Sequence, residues 1–143
     1  MKLLLDSSVW IGILRGDRLP EALARIRGRH QLWMDAFVAA ELFAGCRSRS
    51  ERKQVSILVA PFARAARLRA ATANDMIGAG RALSMLRQRG IQLANPAGAL
   101  IDAGIAIGAV RLGALLVTDN VRDFRKLSAV LPLSWTTRAE FLD

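Results

Sequence analysis

In 143 residues the chain carries one cysteine, Cys46, and one histidine, His30. A lone cysteine excludes an internal disulfide, and one Cys with one His cannot assemble the nitrogen and sulfur ligands that zinc prefers. Cys46 also lacks a neighbouring His or second Cys that would make it a nucleophile or redox centre, and it reads as an inert thiol at a helix end. His30 stands among basic residues without a catalytic partner nearby, which fits a solvated loop residue better than a general base. No Gly-rich phosphate loop of the Walker type is present, so nothing indicates nucleotide-driven chemistry. Long apolar runs are missing as well. The longest, around Ala97 to Val110, is interrupted by Asp102 and is shorter than the roughly 20 apolar residues of a membrane-spanning helix. The opening MKLLLD turns polar too early for a signal-peptide core, so the expected compartment is a reducing cytoplasm, with no membrane partner.

Acid is scarce: 12 Asp and Glu stand against 21 Lys and Arg, a formal net charge of +9. The excess is rich in arginine and grouped in RIRGRH, CRSRSERK, RAARLR and RQRG. A surface of this kind attracts polyanions, chiefly nucleic acid, through phosphate contacts and counterion release. Hydrophobic residues make up 52% of the chain, with three Trp and five Phe, enough to fill one core, and no repeat or linker divides residues 1–143. One domain is the expectation.

The few acids occupy unusual places. Asp6 follows LLL, Glu41 lies inside FVAAELFAG, Asp102 inside GALIDAGIAIGAV, and Asp119 and Asp123 share VTDNVRDF. Taking a carboxylate out of water costs several kcal/mol unless a cation or hydrogen bonds compensate. No Lys or Arg lies within the apolar stretches around Asp6, Glu41 and Asp102, so the simplest shared partner is a bound metal. Ligation by oxygen alone selects a hard ion, Mg2+ or Mn2+. Each acid taken singly has a plainer reading. Asp6 is a good helix cap, Glu41 can reach solvent, and Asp119 and Asp123 can cap a short helix and pair with Arg122 or Arg125. Asp102, with apolar residues on both sides, is the hardest to explain that way, and together the acids point to one site.

Alternating patterns order the chain. Strands are expected at Lys2–Leu5, Gln31–Met34, Ile91–Leu93 and Ala114–Val117, with a last one at Leu133–Trp135. Helices are expected after Asp6, after Asp35, over Ser50–Val59, over Thr72–Arg89 up to Gly90, over Gly98–Leu112 up to Gly113, and over Asn120–Lys126. Strands separated by helices imply a parallel sheet covered on both faces. In such a sheet the site forms beyond the carboxyl ends of the strands, where Asp6, Asp119 and Asp123 fall, and residues early in a helix can point back toward the same crevice. Ser8 and Thr118 are placed to hold these carboxylates or a phosphate by hydrogen bonds.

The order of LLLDSSVWI, FVAAELFAG, LIDAGIAIGA and LVTDNVRDF resembles the PIN-domain nucleases, and among them the VapC-type toxins, over nearly the whole chain. The resemblance implies a three-layer α/β/α fold around a mostly parallel sheet of four or five short strands. It further implies a metal-dependent endoribonuclease, with transfer RNA the target suggested by the family, whose acidic quartet is Asp6, Glu41, Asp102 and Asp123. Thr118 and Asn120 match the polar positions of the family's T-x-N-x-x-D-F segment. Asp119 departs from that pattern and leaves open which of Asp119 and Asp123 is nearer the metal, with Asp123 favoured by motif position. The partners it implies are an RNA substrate, a cognate VapB-type antitoxin and a second copy of the chain, for which Ser50–Val59 and Thr72–Arg89 are the candidate interface helices. Two other functions were open. A dehalogenase-like phosphatase also starts with an apolar strand and Asp, but Ser8 stands where its second Asp should be. A binding or regulatory protein on the same fold, weak in catalysis, is the remaining alternative.

Overall fold

Leu3, Leu4 and Leu5 have no polar residue between them, and a strand with that pattern must be covered on both faces. In the computed structural model, which describes residues 1–16 and 19–141, all three are fully buried at the centre of the sheet. They form β1 (Lys2–Leu5), flanked by β2 (Gln31–Asp35) and β4 (Leu115–Thr118). The edges are β3 (Leu68–Arg69) and β5 (Trp135–Thr137), giving the order β3-β2-β1-β4-β5. All four pairings are parallel, with Leu3 opposite Leu32 on one side and Leu115 on the other.

The connections are helical: α1 (Ser7–Arg15), α2 (Leu19–Arg27), α3 (Ala36–Ala44), α4 (Arg49–Arg64), α5 (Ala73–Gln88), α6 (Ala99–Leu112), α7 (Val121–Leu127) and α8 (Arg138–Phe141). They complete a three-layer α/β/α arrangement. The Ala/Gly/Ile sequence of α6 suits its place: Ala103, Ile105, Ala106 and Ala109 are fully buried, and the helix packs along α5 while touching α3, α7 and β4. Small side chains allow that close approach. Among the described residues no helix is long and apolar enough to cross a membrane.

Strand order reverses between β1 and β4, because the chain first builds outward through β2 and β3 and then returns to the other side of β1. Such a switch point opens a crevice at the carboxyl ends of the two strands. Asp6 follows β1 there and Thr118 ends β4 there, and the Asp6 N–H donates to the Val117 carbonyl at 2.9 Å.

The structure corrects several expected elements. Ile91–Leu93 is not a strand. Its neighbourhood satisfies backbone groups through side chains instead of a ladder: Ala94 and Asn95 donate to Asp123, and the Gln92 carbonyl accepts from Lys126. The sheet's edge is taken by the two-residue β3, too short to show a period, inside RAARLR. The last strand lies two residues later than expected, and α4 continues past Val59 through Pro61 to Arg64. No helix was expected over α2.

Candidate active site

Asp6 follows a strand and begins a helix, and that double position brings three hydrogen-bond donors to its carboxylate. Its Oδ1 accepts from the Ser7 N–H at 2.8 Å, and its Oδ2 accepts from the hydroxyls of Ser8 and Thr118, each at 2.9 Å. The residue is buried, and burial raises its pKa while the bonds from Thr118, Ser8 and Ser7 work against the rise. Thr118 accepts in turn from the Asn120 N–H at 2.9 Å, which leaves its single proton for Asp6.

Glu41 projects from α3, whose N-terminus is capped by Asp35 accepting from the Phe37 N–H. Its Oε2 accepts from the Ser7 hydroxyl at 2.7 Å, whereas the same hydroxyl lies 3.4 Å from Asp6 Oδ1. One proton cannot serve both, so the shorter contact is the bond. Burial raises the Glu41 pKa, the Ser7 bond opposes it, and the charge of Asp6 raises it further.

Asp102 sits in the first turn of α6 at 8% exposure and accepts no hydrogen bond among the described residues. Its pKa is pushed up to about 7, first by burial and then by the charges of Asp6, Glu41 and Asp123. The four acids from four separate segments therefore feel one another across a single crevice. Asp123, 1% exposed in the first turn of α7, is held by the N–H groups of Ala94 at 2.6 Å and Asn95 at 3.3 Å. Asn120 caps that helix, its Oδ1 accepting from the Asp123 N–H at 3.4 Å.

Asp119 goes elsewhere. Its N–H donates to Ser8, but its carboxylate pairs with Arg138 at 3.4 Å on the exposed rim. Motif position favoured Asp123 over Asp119; in the structure Asp123 is buried and the Asp119 carboxylate pairs with an arginine.

Among the described residues no Lys or Arg pairs with Asp6, Glu41, Asp102 or Asp123. Two other buried acids show the contrast. Asp35 and Asp75 are bridged by Arg69, and Asp75 also pairs with Arg111 at 3.3 Å. Burial would raise Asp75, yet bonds from Thr72 and Arg69 outweigh it and hold the carboxyl below its ordinary value. The unpaired quartet offers only hard oxygen donors, a chemistry that fits a divalent ion such as Mg2+ or Mn2+. Among the described residues the quartet is not closed into a ready group of three ligands. Hydrogen bonds from Ser7, Ser8, Thr118, Ala94 and Asn95 hold Asp6, Glu41 and Asp123 in these positions.

A pH dependence follows. Between 3.8, the ordinary value, and about 7, folded Asp102 keeps a proton that the unfolded chain has lost. Stability without metal therefore falls as pH rises through that window and levels off above it. Raised Asp6 and Glu41 act in the same sense. Thermal unfolding in chelator should give a lower midpoint at pH 8 than at pH 5; a midpoint that rises would contradict the clustering.

Sequence reasoning missed three parts of this arrangement. Ser7 has no role in the sequence reading, although two consecutive hydroxyls after Asp6 were a signal. The Ala94 and Asn95 amides carry no side-chain signature. The Arg69 network joins β2, β3, α5 and α6, and nothing local in RAARLR announces it.

Fold and site together define an α/β protein with a carboxylate-lined crevice at the switch point of a parallel sheet. The PIN domain family matches residues 3–130, and the chain belongs to that family, whose members are generally nucleases. No curated protein matches the sequence significantly. Among solved structures, a chain of VapBC2 from Rickettsia felis, bound to a DNA fragment from its promoter, aligns with a TM-score of 0.71 at 20% identity, covering 96% of this chain and 98% of that one. A chain of VapBC-1 from nontypeable Haemophilus influenzae gives 0.69 at 20% identity, covering 97% and 99%. A chain of FitAcB from Neisseria gonorrhoeae gives 0.66 at 18% identity, covering 93% and 95%.

Proposed function

We propose that the chain is a cytoplasmic Mg2+-dependent endoribonuclease, the toxin of a VapBC-type pair, and that residues 1–143 act as one domain. The observation that carries the reading is the convergence of Asp6, Glu41, Asp102 and Asp123 without a protein cation. Asp6 and Asp102 would hold the ion, with Glu41 and Asp123 joining directly or through water. A divalent ion bound there supplies an acidified water and a clamp on phosphate oxygens. The chain's own groups do the rest. Ser8 and Thr118 fix the plane of the Asp6 carboxylate, and Asn120 orients the Thr118 hydroxyl. Glu41 is anchored through Oε2 by Ser7, so Oε1 is available to take a proton from the attacking water, and its raised pKa suits that task. RNA as substrate is supported by the basic surface: among the described residues only Arg69, Arg111 and Arg138 pair with carboxylates.

The antitoxin part rests on likeness to the VapBC complexes and on a groove. A cavity of about 310 Å³ runs from Glu41 between α1, α3 and α4, lined by Ile11, Leu14, Leu42, Cys46 and Val55. Its lining also includes Arg15, Glu51 and Gln54, so an amphipathic antitoxin segment suits it, with an Arg reaching the carboxylates in place of metal.

For a homodimer, α5 is the better of the two helices. Ile77 is 54% exposed on its outer face, flanked by Met76 and Met85, whereas α4 offers only Ile57. Ile77→Lys with Met76→Lys should convert a dimer to monomer in light scattering at micromolar concentration; a monomeric wild type would end the dimer proposal.

The test of the function is incubation of the purified chain, free of antitoxin, with total cellular RNA with and without Mg2+ or Mn2+, followed by mapping of the ends. Discrete metal-dependent cuts are expected, and they name the target, transfer RNA or another. Binding without any cleavage would favour the regulatory alternative.

A further inference from the structure

We propose that Arg138 is a substrate-binding residue that grips an RNA phosphate at the rim of the carboxylate crevice, held in place by Asp119 and admitted by the missing side chain of Gly12. The inference rests on the RNA-cleaving reading for its substrate. Its geometry is independent of that reading.

Arg138 follows β5, and the register pairs Thr137 with Thr118. Arg138 and Asp119 are therefore the next residues on neighbouring strands, at the same edge as the carboxylates. The guanidinium lies against α1. A Cβ on Gly12 would come within 3.1 Å of Arg138 Cζ and overlap Nη1. Gly12 is one helical turn from Ser8 on the same face of α1, and Ser8 bonds both Asp6 and the Asp119 N–H. Gly12 and Asp119 thus bracket Ser8, which sets the guanidinium roughly one helical turn, about 5 Å, along α1 from the residue bonded to Asp6.

This arginine differs from the buried one. The Arg69 side chain is 12% exposed inside a closed network, whereas that of Arg138 is 36% exposed and its partner's 34%. Its ion pair with Asp119 is a single contact at 3.4 Å, and the Arg138 side chain donates no hydrogen bond among the described residues. The one acid on α8, Glu140, is turned to Thr136 and Thr137. An exposed single-contact pair contributes little stability, so a phosphate offering two oxygens displaces or joins Asp119 at small cost and gains the bidentate geometry that guanidinium favours. The need is electrostatic. Four clustered carboxylates repel a polyanion, and a cation at their edge offsets that repulsion where the scissile phosphate must enter.

The experiment measures single-stranded RNA binding in chelator, where no cleavage occurs, alongside kcat and KM with Mg2+. Arg138→Gln should weaken binding about tenfold and raise KM similarly, as expected for loss of one charge-assisted phosphate contact. Arg138→Lys should recover only part, because the planar fork is lost. Gly12→Ala keeps every charge but pushes the guanidinium aside, and it should reproduce most of the Gln effect with an unchanged melting temperature. That second variant keeps the test valid if Arg138→Gln folds poorly. Equal binding and KM in wild type, Arg138→Gln and Gly12→Ala would overturn the proposal. A wild type that binds RNA through Arg138 yet never cleaves it would overturn the nuclease reading and leave the phosphate site standing.

Discussion

Asp102→Asn should abolish metal-dependent cleavage while making the metal-free protein more stable. The side chain keeps its shape, so packing of α6 is undisturbed, but the charge that Asp6, Glu41 and Asp123 repel is gone. A group pushed up to about 7 by burial and those three neighbours is held in the protein against its own electrostatics. Strain of this kind is characteristic of functional carboxylates. Loss of one anionic ligand should reduce cleavage on the order of a thousandfold, since the ion is expected to supply several kcal/mol of charge stabilisation. The stability gain should be largest at pH 8 and fade toward pH 5, where Asp102 already carries its proton. A kinetic assay with denaturant melts at both pH values reads the two effects together. If Asn lowers stability at pH 8, Asp102 is a structural acid with a favourable partner, and the site is misread.

The second large effect is on stability alone. Arg69→Met should destabilise the fold by about 3–5 kcal/mol, because it leaves Asp35 and Asp75 buried and without their shared cation. The loss should be smaller near pH 5, where an uncompensated Asp35, already raised by burial, can take up a proton. Gly108 belongs to this network: a Cβ there would stand 2.7 Å from Asp35 Oδ2 and 3.0 Å from Arg69 Nη1. Combining Arg69→Met with Asp35→Asn and Asp75→Asn should recover part of the loss. Urea titration of the three proteins measures it, and equal midpoints for wild type and Arg69→Met would show that the network contributes nothing. The network also shapes the crevice, since Asp35 caps the helix carrying Glu41 and Arg111 belongs to the helix carrying Asp102.

Legibility in the sequence followed the range of the interactions. Uninterrupted apolar runs such as LLL and the small-residue stretch of α6 announced a central strand and a buried helix, because burial on every side leaves no room for polar alternation. The acids stood out against those same runs, which is how Asp6, Glu41 and Asp102 came into view. Features made by distant partners were silent. β3 exists because Met34 and Asp35 of β2 pair with Leu68 and Arg69, and two residues cannot display a period. Ile91–Leu93 has the composition of a strand, but the Asp123 carboxylate and Lys126 reach the backbone around it. The parting of Asp119 from Asp123 likewise depends on Arg138, nineteen positions further on.

A crystal of the protein soaked in Mn2+, with an anomalous difference map, shows whether the four acids hold a metal ion. A peak is expected in the crevice about 2.0–2.3 Å from carboxylate oxygens of Asp6 and Asp102, with Glu41 and Asp123 as direct or water-bridged neighbours. A crevice without a peak at saturating Mn2+, or an ion bound instead at Asp119, would contradict this assignment.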